Sequence, residues 1–439
     1  MKLNLAIFSA AITAATALHI PASLSFSEEA NLQRHFVDSS KSWLSQYVFG
    51  ENGEALGAFA DTSEVTDNAW DVLKKDPKKF SKFTTILEKF SPTAIDHIKD
   101  EKDFTIFVPT NDAIPDHKHK GENVYIDSNI WEDPVPNILG KLYAIADKVD
   151  MAKEDDECKR KLKRFVEAVV MYHTVGQKLD VNTLHDFSTV ETILKEPNTF
   201  NGAGQRLRIE QQFVPPATVV NHFAKISTQN IQSANAVIHA LDHVLIPPPS
   251  AINALFIFAR EFSIFTSALQ KVGLAEELDL SLDGKTGNGH LTINAPLNSA
   301  FERLPPKVLG FLFSPLGGRA LRHLLEYHIV PDNSIFIDFQ SNQQAKSVES
   351  ADNDDLFHKK IKAKTLLKDA GEIEYELIKS QTVPYGPYSF DVKLQGKSVS
   401  WHDGIARNAA VQVLDELLMP PKHDHESAAD QDWAWMQQL

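Results

Sequence analysis

Residues 104–114 read FTIFVPTNDAI. Phe104, Ile106 and Val108 alternate with Thr105 and Phe107, which predicts a strand with little that wants water on either face. Pro109 cannot donate to a strand ladder and ends it. Thr110, Asn111 and Asp112 follow, with short polar side chains suited to capping free amides at a helix start. The same pattern returns at residues 291–301, LTINAPLNSAF, with Thr, Ile, Pro, Asn and Ala in register. Ahead of each copy the period changes from two to that of a helix. Trp70, Leu73, Phe80, Phe83, Ile86, Leu87 and Phe90 recur at helical spacing on either side of Pro77, predicting two short helices with one apolar stripe each. Residues 254–274 repeat that element, with Phe262, Phe265, Leu269 and Val272 as the stripe.

Two further stretches are duplicated in the same order. Residues 165–175, FVEAVVMYHTV, answer 321–330, LRHLLEYHIV, so that Tyr172-His173 matches Tyr327-His328. Residues 235–248, NAVIHALDHVLIPP, answer 408–421, NAAVQVLDELLMPP, so that Asp242 matches Asp415. The gaps between the motifs differ, because the first copy carries a long insertion at about 115–163. Equal motifs separated by unequal loops indicate two tandem domains, not a solenoid of roughly 20–50-residue repeats.

These three ordered motifs resemble the fasciclin (FAS1) domain: a hydrophobic strand running into Pro-Thr-Asn/Asp-x-Ala-Phe, a helix ending in Tyr-His, and a hydrophobic stretch with an embedded Asp that closes on Pro-Pro. Ile114, Leu297 and Asn294 depart from its usual residues. The resemblance implies an α+β fold of two tandem domains, 68–248 and 251–421, each a β-wedge or sandwich with several packed helices. It also implies that Tyr172, His173, Tyr327 and His328 are candidate interaction residues, since the Tyr-His region of animal members is associated with adhesion. The residues themselves give a second reading: His173 follows Val166 and Val169, and His328 follows Leu321 and Leu324, which places both rings on the core-facing stripe as hydrogen-bonded core groups.

Asp242 and Asp415 stand in apolar rows, Ile238, Ala240, Val244 and Ile246 in one copy and Val411, Val413, Leu417 and Met419 in the other. A lone carboxylate there needs its oxygens satisfied. The expectation is a structural clamp in which each Asp accepts bonds from backbone amides or from the first-motif cap near Asn111 and Asn298, joining the first and last motifs.

Composition narrows the function. The chain has 439 residues, 44 Lys plus Arg against 59 Asp plus Glu, and a formal net charge of −15. With no basic block, nucleic acid is excluded as the main partner. Its single cysteine, Cys158, lies in a highly charged stretch and reads as an incidental thiol. Residues 1–17 have the charged start, short apolar core and Ala-x-Ala end of a secretory signal peptide. Residues 18–67 form a weakly periodic lead-in and 422–439 a polar tail with Trp433 and Trp435. IPPPSA, residues 246–251, is a short, stiff linker that should restrict the angle between the domains. The tracts DHKHK and KHDHE read as exposed polar segments. DLSLDGKTGNGH begins like a calcium loop but has His290 where a bidentate Glu belongs, so it reads as a glycine-rich turn. GxSxG, HExxH and phosphate-loop motifs do not occur. No catalytic residue, metal or cofactor is therefore expected. The expected function is a non-enzymatic, exported adhesion or interaction protein with protein, cell-wall or membrane-surface partners, extracellular or at the cell surface. The alternatives are a vacuolar or endomembrane role in membrane traffic, a small-ligand carrier, and an enzyme hidden in the insertion.

Overall fold

In a computed structural model of the chain, residues 66–117, 135–147, 156–213, 216–281, 287–339, 347–350, 355–368, 372–381 and 388–420 are described, with 149, 154 and 284. The expected signal peptide, the lead-in, the tail and much of the insertion lie outside them.

The first domain opens with α1 (Ala69–Lys75), α2 (Pro77–Phe90) and α3 (Pro92–Asp100). Asn68 caps α1 by accepting from the Asp71 amide, and Pro77 and Pro92 stand at first-turn positions where a missing N–H costs nothing. Then come β1 (Phe104–Pro109), α4 (Val135–Ile145), α5 (Asp156–Tyr172), β2 (Thr174–Val175), α6 (Val181–Leu184), β3 (Thr189–Lys195), β4 (Gly204–Phe213), β5 (Pro216–Val220), β6 (Ala224–Gln232) and β7 (Ala236–Leu241). The seven strands close into a barrel in the order β1 to β7, with β1 parallel to β7.

The second domain follows the same plan. Its helices are α7 (Ala251–Ile257), α8 (Ala259–Lys271), α9 (Leu274–Leu278), α10 (Asn298–Glu302), α11 (Pro306–Leu312) and α12 (Gly318–Tyr327). β8 (Leu291–Pro296) precedes α10 and β9 (Ile329–Val330) follows α12. β10 (Ser347–Ser350), β11 (Asp355–Lys364), β12 (Glu372–Ser380), β13 (Ser389–Leu394), β14 (Lys397–Ser398), β15 (Trp401–Ala406) and β16 (Ala409–Leu414) complete it. Here the strands split into a sheet of five, β10 to β14, and a sheet of four ordered β15-β16-β8-β9. The fold is α+β, as the motifs imply.

Each domain is built on its parallel pair, β1 with β7 and β8 with β16, and all four strands are buried at every position. The strands are buried on both faces because each lies between two cores. Phe104, Ile106, Val108, Ala236, Ile238 and Ala240 pack against the helices, with Leu73, Leu87 and Ile98. Phe107 and Leu241 face the other way, into the barrel with Tyr172, Leu184 and Leu207. In the second domain Leu291, Ile293, Val411 and Val413 pack on the helices, and Leu414 faces Tyr375 and Leu377 of the five-stranded sheet. Core residues from Ala69 to Val244 belong to one cluster, so the segment before the insertion and the segment after it build one domain.

Candidate functional site

The first and last motifs meet through main chain, not through a carboxylate. β1 and β7 run in register from Phe104 opposite Ala236 to Pro109 opposite Leu241, and β8 with β16 likewise from Leu291 opposite Ala409 to Pro296 opposite Leu414. The Thr110 and Leu297 amides extend the ladders to the Leu241 and Leu414 carbonyls, both at 2.9 Å. The expected Asp clamp is corrected here. β7 ends at Leu241, so Asp242 lies beyond the alternating row, half-buried, where it accepts from the Lys225 amide at 2.7 Å and contacts His243 Nδ1 at 2.8 Å. Asp415 is also half-buried, and its Oδ1 has no hydrogen-bond partner. Neither carboxylate bonds the motif asparagines.

Asn111 and Asn298 act elsewhere. Asn111 Oδ1 accepts from the Lys82 amide, and its Nδ2 donates to the Pro77 and Lys78 carbonyls and to Ser81 Oγ. Asn298 repeats this on the Ile264 amide, the Arg260 carbonyl and Ser263 Oγ. Each therefore braces the strand end to the first turns of the long opening helix, α2 or α8.

The tyrosines and histidines are enclosed: Tyr172 and His173 are 0 % exposed, Tyr327 3 % and His328 0 %. His173 Nδ1 donates to the Val169 carbonyl at 2.6 Å, and its Nε2 accepts from the Leu245 amide at 3.0 Å. His328 does the same with the Leu324 carbonyl and the Leu418 amide, at 2.7 and 3.0 Å. Burial pushes both imidazoles down to about 4, so they are neutral, as an acceptor Nε2 requires. Each ring links the end of the middle helix to the closing segment after β7 or β16. Tyr172 donates to the Arg206 carbonyl and accepts from Asn221, while Tyr327 accepts from Gln395. The expectation that these four side chains meet a partner is corrected by their burial: they are core braces.

Three more recurring braces were not picked out from sequence. Asn235 Oδ1 accepts from the Ala69 amide at 2.8 Å, and its Nδ2 donates to the Ile98, Lys99 and Glu101 carbonyls. Asn408 accepts from the Ala251 amide and donates to the Leu278 and Asn288 carbonyls. Both open the third motif, so their recurrence was a readable signal. Thr105 bridges the Gln177 carbonyl and the Leu179 amide, and Thr292 bridges the Asn333 carbonyl and the Ile335 amide. His239 and Gln412 reach the Leu179 and Ile335 carbonyls. Asn294, one departure from the family pattern, is matched by Tyr375, with bonds of 2.8 and 3.0 Å in the second core.

A different polar set lies where the domains meet. The Ser188 and Thr189 amides donate to Asp338 Oδ2 at 2.7 and 2.8 Å. Ser188 Oγ donates to Asp403 Oδ2 at 2.6 Å. The Arg206 guanidinium lies over Phe339 at 4.8 Å, and that of Arg208 over Trp401 at 4.7 Å, with the His222 ring tilted against the same indole at 4.6 Å. Gln205 donates to the Arg407 carbonyl, Arg407 pairs with Glu196, and Lys379 donates to the Asp186 carbonyl. The glycine-rich turn joins this seam: Asn198 donates to the Gly284 carbonyl and the Phe200 amide to that of Gly289. Burial opposes a charge on Asp403, but His402, Arg208 and the Ser188 hydroxyl outweigh it and hold the carboxyl below the usual carboxylate range. Among the described residues, no group of three or more His, Cys, Asp or Glu side chains could hold a metal, and no helix is long and apolar enough to cross a membrane.

Among known proteins, aurofusarin biosynthesis cluster protein S of Gibberella zeae is 24% identical over 387 residues, 86% of this chain and 82% of that protein. Stabilin-2 of Rattus norvegicus is 27% identical, over 38% of this chain and 11% of its own length. Transforming growth factor-beta-induced protein ig-h3 of Sus scrofa is 24% identical, over 54% and 30%. The chain thus spans most of the first and a third or less of the two animal proteins. A solved FAS1 domain pair from the insect cell adhesion molecule Fasciclin I aligns with 77% of this chain and 96% of its own, at 15% identity and a TM-score of 0.30. The fasciclin-domain profile matches residues 147–247 and 260–420. With that match over more than half its length, the chain belongs to the fasciclin domain family.

Proposed function

We propose that the chain is an exported, non-enzymatic interaction protein that makes contacts with cell-surface, wall or membrane components through the outer faces of its two fasciclin domains. One observation carries this reading. The polar side chains that recur in both copies, Asn111 and Asn298, His173 and His328, Asn235 and Asn408, are held by main-chain partners within their own domains. Those groups serve to build the domain, which leaves recognition to its surface. Membership of the fasciclin family, which has adhesion proteins among its animal members, supports the same reading.

Beads coated with the full chain should cluster or bind walls and membranes from the producing cells, and a fluorescently tagged copy should collect at the cell surface. Beads that stay dispersed and bind neither preparation would count against it. A tag confined to the vacuole would favour the endomembrane role instead.

The relative matched along most of its length supports a second reading, because its name places it in a biosynthesis cluster. On that reading the chain binds or handles a small exported metabolite. Comparing metabolite profiles of cells with and without the gene separates the two, since a surface-contact protein leaves the profile unchanged.

A further inference from the structure

The two copies differ at one informative position. Asn230 and Asp403 occupy the same place in the fold, in the irregular stretch of β6 or β15 just before the residue opposite Ile238 or Val411. Both backbones are left-handed there, with φ of 57° and 56°. Asn and Asp tolerate that conformation better than other side chains. Both side chains also hold a main-chain amide of their own domain. Asn230 Oδ1 accepts from the Val181 amide at 2.8 Å, and the Asp403 oxygens accept from the Ile337 amide at 3.2 and 3.3 Å. A neutral Asn thus suffices for the brace within a domain.

Asp403 nonetheless carries a carboxylate at a fully buried position, which is costly unless something uses the charge. It has two bonds that Asn230 lacks: one from Gln412 Nε2 in its own domain at 3.3 Å, and one that crosses to the other domain, from the hydroxyl of Ser188, itself 2 % exposed. Around that bond Arg208 presses on the neighbouring Trp401, and the Ser188 and Thr189 amides engage Asp338. β15 is the edge strand of its sheet, a position that proteins commonly cover.

We propose that Asp403 fastens the second domain to the first through Ser188, and that the seam it anchors covers the β15 edge so that the tandem behaves as one body. The substitution of a charge for an amide at this bulge turns a brace internal to each copy into a lock between copies. A hydroxyl donating to a buried carboxylate is stronger than a neutral bond, and a stranded partner is penalised.

Hydrogen exchange on the full chain tests this. The seam reporters are the Thr189 amide, held by Asp338, and the Phe200 amide, held by Gly289. The Leu245 and Leu418 amides, held by His173 and His328, report the two domain interiors. Ser188→Ala and Asp403→Asn should each speed exchange of the seam amides by about tenfold or more, the equivalent of one charge-assisted hydrogen bond. The interior amides should keep their rates. The double substitution should be no worse than the larger single one, because one deletes and the other weakens the same contact. Seam amides that do not respond, interior amides that speed up equally, or effects that multiply in the double variant would each overturn the proposal. Should Asp403→Asn fail to fold, Ser188→Ala alone decides, since it leaves every acceptor contact of Asp403 within its own domain.

Discussion

At the scale of single residues, burial and bond count separate braces from bystanders. Asn235 is 7 % exposed and serves the Ala69 amide and three carbonyls that close the ends of α1 and α3. Asn235→Ala should cost about 2–3 kcal/mol in urea unfolding, because it strands buried backbone groups. Asp242→Ala should cost less than about 1 kcal/mol, since that carboxylate is half-buried and water can replace it. The histidines make stability depend on pH. Their folded values, about 4, lie below the ordinary imidazole value of about 6.5, so the unfolded chain binds more protons between the two. Their contribution is present in full above about pH 6.5 and is lost as pH falls towards 4, by about 3 kcal/mol for each ring. Urea midpoints measured from pH 7.5 to 4 should fall accordingly, and should fall less in His173→Gln, whose side chain does not titrate.

At the scale of elements, sequence was most informative where period and punctuation agree. The breaks at Pro77 and Pro109, the two opening helices and the two buried strands are where the pattern put them, because proline and apolar spacing act locally. The carboxylate clamp was misplaced for an equally physical reason. Two-residue alternation holds only inside a strand, and Asp242 comes one residue after β7 ends. The resemblance pointed to the right residues at Tyr-His, yet recurrence alone does not tell a contact surface from an internal brace. The helical stripe did, by placing both rings inward. Asn298 shows how far such a brace reaches, fixing the start of α8 from the end of β8. Asn298→Ala should cost roughly 2 kcal/mol and speed exchange at the Ile264 amide before other amides of α8 respond.

At the scale of the molecule, nothing local in the sequence announced the seam. Ser188 and Arg208 lie far from Asp403 along the chain, and none of the three belongs to a repeated motif; only the short IPPPSA linker pointed to a restricted angle between the domains. That linker is itself pinned, with the Pro249 carbonyl accepting from the Arg407 amide. Close approach at the seam makes one glycine critical. A Cβ on Gly289 would lie 1.4 Å from the Asn198 carbonyl oxygen, so Gly289→Ala should force the domains apart locally at a cost of about 1–3 kcal/mol, read as a lower denaturation midpoint.

Taken whole, the chain is two similarly braced copies of one unit, joined into a single body. Scanning calorimetry of the full chain at pH 7 addresses this most directly. One transition is expected, with calorimetric and van't Hoff enthalpies in agreement. Two resolved transitions, one for each domain, would contradict it.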